Sequence, residues 1–79
     1  MNINQDQLII FITVMETGSF SAAARQLGKV PSAISMSIAN LEIDVDLKLF
    51  ARVGREPLPT PQAQSLYEKS KQLLVEMIS

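Results

Sequence analysis

The chain has no cysteine, no histidine and no tryptophan in its 79 residues. Without cysteine it forms no disulfide and no thiolate metal site. Without histidine it lacks the usual metal ligand and the usual general base. Charge is sparse too: seven basic residues stand against eight acidic ones, a formal net charge of −1. That balance runs against a nucleic-acid ligand, because neutralising phosphates supplies much of such affinity. The longest mostly apolar run, Leu8 to Met15, is too short to cross a bilayer. The N-terminus has neither the basic patch nor the cleavage site of a signal peptide. Together these absences predict a cytoplasmic chain with no membrane partner.

Apolar residues make up 47% of the sequence, which excludes an intrinsically disordered chain. The length allows one small domain. A core this size leaves a thin stability margin, so dimerisation is an expected second source of burial. The few charges are unevenly spread. From Phe20 to Leu41 only Arg25 and Lys29 are charged, and from Lys48 to Arg55 only Lys48, Arg52 and Arg55. Glu42, Asp44 and Asp46 cluster elsewhere and read as a solvated acidic face. This distribution softens the objection to a nucleic-acid ligand.

The stretch FSAAARQLGKVPSAISMSIANL, residues 20 to 41, carries the most information. It reads as two short helices joined by a tight turn with a glycine, the helix-turn-helix layout, centred on about residues 20–39. The first is small and alanine-rich, with Ala22, Ala23, Ala24 and Leu27, and Gly28 stops it. Pro31 suits the first turn of the second, where its missing N–H is not needed. That helix has apolar residues at Ala33, Ile34, Ile38 and Leu41, with Ser32, Ser35, Ser37 and Asn40 between them. An apolar back and a short polar front let such a helix lie in the DNA major groove.

Before this motif, Asn4 is placed to cap a helix over about Gln5 to Glu16, with Leu8, Ile12 and Met15 at the spacing of a buried stripe. Thr17 and Gly18 end it. Ser19 or Ser21 caps the next helix, and Phe20, just before Ser21, is placed as a hydrophobic staple and core anchor. After the motif, two short extended runs flank Gly54 and predict a small hairpin, or wing. Pro57 and Pro59 restrict its second strand to an edge. Thr60-Pro61 then opens a last helix that reaches close to Ser79. Leu66, Ser70, Leu73 and Met77 recur along it at spacings of four and three, with Ala63, Tyr67 and Leu74 beside them. The stripe outruns what one small core covers and predicts a partner helix.

Catalysis finds no support. No phosphate loop is present and no nucleophile has a base partner. No cofactor or metal is expected, and the chain is not read as an enzyme.

Phe11, the run Gly18 to Ala24, Leu27, Ser32 to Ser35, Ile38, Leu41-Glu42, Leu49-Phe50, Arg52, Gly54-Arg55 and Thr60 together resemble the N-terminal domain of LysR-type transcriptional regulators. The resemblance covers almost the whole chain. It implies a mainly α fold: a winged helix-turn-helix over residues 1–59, with three helices and a short β-hairpin wing, followed by a long linker or dimerisation helix over 60–79. It implies double-stranded DNA with a pseudo-palindromic site as partner. It further implies a homodimer or tetramer through the linker helix, and a small-molecule effector held on a C-terminal domain absent from this chain.

Carried over by position, the family's DNA-facing surface falls on Ser21 and Arg25, then on Val30, Pro31, Ser32, Ser35, Met36 and Ala39, then on Arg52 and Arg55 of the wing. The implied dimer interface comprises Leu66, Tyr67, Ser70, Leu73, Leu74 and Met77. The chain departs from the family at several of these. Many members have glutamine at position 31 and arginine at 36, where this chain has Pro31 and Met36, and basic residues common at 39 and 40 are Ala39 and Asn40 here. Each assignment has a plainer counterpart. Ser32 as a helix cap, Met36 as a solvent-exposed or wing-packed side chain, and the arginines as solvated surface charges all fit the same residues. The alternative for the whole domain is a winged-helix interaction module with little DNA affinity.

Overall fold

A computed structural model describes residues 4–53 and 56–78. Its elements, in order, are α1 (Gln5–Thr17), α2 (Phe20–Leu27), α3 (Pro31–Val45), β1 (Phe50–Val53), β2 (Glu56–Pro59) and α4 (Pro61–Ile78). The strands pair as an antiparallel hairpin. Helix α1 is central and packs on α2, α3 and α4 at once. The fold is mainly helical with a two-stranded wing, as the sequence predicts.

Local chemistry sets most boundaries. The Asn4 side chain accepts from the Gln7 N–H at 2.8 Å, and the Gln7 side chain accepts from the Asn4 N–H at 3.0 Å, a reciprocal capping box. Helix α1 ends at Gly18, and α2 at Gly28, both left-handed with φ of 76° and 67°. Glycine takes that conformation without the Cβ clash other residues suffer. The Lys29 N–H returns to the Ala24 carbonyl at 2.9 Å, closing the turn between α2 and α3.

Ser19 is the N-cap of α2, its hydroxyl accepting from the Ala22 N–H at 3.2 Å. Phe20 is therefore the first residue inside the helix and not a staple ahead of it. Its ring still anchors the core, edge-on to Phe50 at 5.9 Å. The buried stripe of α1 also differs from the Leu8, Ile12, Met15 spacing. Leu8, Ile10, Phe11 and Val14 are buried, whereas Ile12 and Met15 are half-buried. A helix with neighbours on three sides buries more than one stripe, so no single period marks its inner face.

Ala23 and Ala24 are buried where α2 meets its neighbours. Ile34, Ile38 and Leu41 of α3, together with Leu49, Phe50 and Ala63, complete the core. Glu42 is not part of a solvated acidic face. One of its carboxylate oxygens accepts from the backbone N–H of Leu49 at 2.8 Å and of Phe50 at 3.2 Å, fixing where β1 begins. Asp44 accepts from the Gln7 side chain at 3.1 Å, and Asp46 is the left-handed C-cap of α3.

In the hairpin Phe50 faces Pro59 and Arg52 faces Pro57. The Thr60 N–H bonds to the Leu49 carbonyl at 2.9 Å. Hydrogen-bonded and non-bonded pairs alternate along an antiparallel ladder. Both prolines therefore fall at non-bonded positions, where no N–H is asked of them. Thr60 also starts α4. Its hydroxyl accepts from the Ala63 N–H at 3.2 Å and donates to the Lys48 carbonyl at 2.6 Å.

Helix α4 lies along α1. The Tyr67 phenol donates to the Glu16 carboxylate at 2.8 Å across that contact. This hydrogen bond to a carboxylate, with a smaller contribution from burial, raises the phenol above the ordinary tyrosine pKa. Ser70 is fully buried and its hydroxyl has no hydrogen-bond partner. Such a group carries an uncompensated desolvation cost. Ser70→Ala keeps the small volume and removes the hydroxyl. We expect it to stabilise the domain by about 1 kcal/mol, read as a higher urea midpoint; a lower midpoint would mean the hydroxyl is satisfied in solution.

Candidate nucleic-acid interface

Helix α3 has two unlike sides. Ile34, Ile38 and Leu41 point into the core. On the opposite side Ser32, Met36, Ala39 and Asn40 are exposed. This outward face begins at Val30, the N-cap, which is 62% exposed and makes no side-chain cap bond. Ser32 therefore does not cap the helix, and Pro31 occupies the first turn. Backbone N–H groups at such a terminus favour anions. Ser35 is half-buried at the margin of the face.

Helix α2 adds Ser21 and Arg25, both exposed and four residues apart, hence on one side of that helix. Lys29 lies between the two helices, with its ammonium 4.0 Å from the Asp6 carboxylate. Both groups are solvent-accessible, so the pair holds the lysine only weakly. Along α2, the turn and the first eleven residues of α3, Arg25 and Lys29 are the only charged side chains, and both are basic. The acidic residues Asp44 and Asp46 sit at the far end of α3. The charge is thus segregated along the helix.

The backbone of Arg52 belongs to β1, paired with Pro57. Its side chain, and Gly54 and Arg55 entirely, lie outside the described residues. Asn40 shares the outward face, although the carry-over from the family did not select it. Placing α3 on a 3.6-residue helical wheel is enough to find it.

The expected interface residues of α4 divide into two groups. Leu66 and Tyr67 are half-buried against the chain's own core, and Ser70 is fully buried within the chain. Ser70 presents no surface to a partner, which corrects its inclusion. The four-and-three spacing that marks a seam also marks the face packed on α1. Further along, Leu74 is half-buried, while Leu73 and Met77 are 40% and 47% exposed.

Helix–turn–helix followed by a β-hairpin, with one helix turned outward, defines a winged helix-turn-helix domain. Residues 5–64 match the family described as the bacterial regulatory helix-turn-helix proteins, lysR family. The chain belongs to that family. It is 74% identical over 77 residues to the HTH-type transcriptional regulator AceR of Acinetobacter baumannii, covering 98% of this chain and 26% of that protein. It is 37% identical over 75 residues to the probable regulator LtrA of Klebsiella pneumoniae, covering 94% of this chain and 24% of that protein. The chain thus spans about a quarter of the length of these curated relatives. Among solved structures it superposes on the DNA-binding domain of CbnR in complex with DNA. That match has a TM-score of 0.90 and 28% identity over 95% of this chain and 86% of that one. The BenM DNA-binding domain on its benA site gives a TM-score of 0.87 at 29% identity, over 95% and 84% of the two chains. No helix among the described residues is long and apolar enough to cross a membrane.

Proposed function

We propose that this domain binds double-stranded DNA sequence-specifically and serves as the DNA-reading part of a transcription regulator. The observation that carries this is the outward face of α3, exposed from Val30 to Asn40 while the other side of the same helix is the core. A rigid helix held by its back and clear at its front is what a major groove admits. The matches to CbnR and BenM domains in DNA complexes support the reading. In it, Val30, Pro31, Ser32, Ser35, Met36 and Ala39 face the groove. Ser21 and Arg25 face the adjacent backbone, and Arg52 and Arg55 of the wing face phosphate or the minor groove. Residues 1–59 form the DNA-binding unit and 60–79 the dimerisation helix.

The test is an anisotropy titration against a random duplex pool at low and moderate salt, followed by selection of the retained sequences. A dyad motif is the expected product, because a two-fold dimer reads two half-sites. Weak, unselective binding that vanishes with salt would move the domain to an interaction module. With few cations on its reading face, the domain should show a shallow salt dependence for its specific site.

The dimer rests on the distal part of α4. Leu73→Asp places a charge among Leu73, Leu74 and Met77, and is expected to yield monomers by sedimentation. An unchanged dimer would remove this helix from the interface.

A further inference from the structure

Opposite its buried residues, α3 carries a second line: Ser32, Met36, Ala39 and Ile43. Spacings of four, three and four stack these side chains on one face. Met36 is 65% exposed and Ile43 76%. No side chain from Pro31 to Leu41 is ionisable. Its side chains offer a phosphate no charge, only hydroxyls and the Asn40 amide, and that amide is the one group on the face suited to a base's hydrogen-bond pattern. The serine hydroxyls pair with several bases and choose weakly among them.

What a protruding thioether and a methyl can discriminate is an apolar group. The major groove presents one, the C5 methyl of thymine. Methionine, flexible and polarisable, fits such a contact. We infer that Met36, with Ala39 one turn further on, reads thymine methyl groups in the half-site. Ile43 stands about 10 Å beyond Met36 along the axis, flanked in sequence by Glu42 and Asp44 and three residues before the exposed Asp46. Phosphates repel that end, so Ile43 stays outside the contact. The inference rests on the DNA-binding reading above and names the chemistry of its specificity.

A duplex recovered from the random pool is remade with deoxyuridine at each thymine in turn, which removes a methyl and nothing else. One or two positions per half-site are expected to weaken binding about fourfold each, the worth of one buried methyl. Met36→Ala should bind the methylated and unmethylated duplexes equally at one of those positions, the one Met36 reads; a second sensitive position that persists belongs to Ala39. Met36 is exposed, so this variant keeps the fold, checked by circular dichroism. A recovered duplex with no deoxyuridine-sensitive position overturns the methyl readout and leaves DNA binding intact. So does sensitivity that survives Met36→Ala at every position. Recovery of no duplex overturns both readings. If Met36→Glu then breaks up a self-associated form of the chain, the stripe is a protein interface.

Discussion

Phe50→Ala is expected to destabilise the domain by about 3–5 kcal/mol, the usual cost of truncating a buried phenylalanine. Phe50 is 4% exposed, and its ring meets Phe11 at 6.1 Å and Phe20 at 5.9 Å, both edge-on. It therefore joins α1 and α2 to the base of the wing. Edge-on aromatic pairs add about 0.5–1.5 kcal/mol each beyond the area they bury, and both would be lost. Small domains hold only about 5–15 kcal/mol in total. The variant should melt at least about 12 °C lower, or fail to fold at ordinary temperature. Leu58→Ala is the control. Leu58 lies in the neighbouring strand but is 51% exposed, and its loss should stay within about 0.5 kcal/mol. A Phe50 variant as stable as the control would mean the aromatic cluster does not hold the wing to the helices.

The second large effect comes from Glu42. Its carboxylate holds the N–H groups of Leu49 and Phe50, residues that are themselves buried. Glu42→Ala leaves both donors without that acceptor, and hydrogen bonds to a charged group are worth about 1.5–3 kcal/mol. We expect a loss in that range by urea denaturation. Glu42→Gln, which keeps a side-chain oxygen in reach, should recover part of it. Equal losses in the two variants would show that the charge matters more than the acceptor. The readout extends to the wing, since β1 begins where Glu42 fixes it, so protease cleavage near Gly54 should accelerate in the alanine variant.

Local signals in this sequence translated directly into structure. Asn4, Gly18, Gly28, Pro31 and Thr60 each act through residues within a few positions, and each sits where its own chemistry requires. The outward face of α3 was legible for the same reason, since Ile34, Ile38 and Leu41 define the back of one regular helix. Tertiary partners were less legible. Glu42 looked like one of three solvated acids because its acceptor role depends on where the chain returns seven and eight residues later. The inner face of α1 was misplaced because that helix has three neighbours. Ser70 fell in a seam pattern that packing on α1 and packing on a second chain produce alike. The DNA-facing and dimer assignments came through the family resemblance, with the chain's own residues supplying Met36 where a basic side chain is common.

The register of the hairpin has a consequence for the molecule in a crowded solution. Along β2, residues 56 and 58 turn their backbone toward β1, while positions 57 and 59 turn theirs outward, and both of these are proline. The open side of the strand therefore offers no backbone donor at either position. An extended segment of another chain that approaches it finds carbonyls alone and cannot complete a ladder. A two-stranded sheet exposed at the rim of a small domain would ordinarily be able to seed a growing sheet. Here the outer edge of β2 is closed to such growth by its own backbone, which leaves that strand free to stay solvent-facing in the uncomplexed protein.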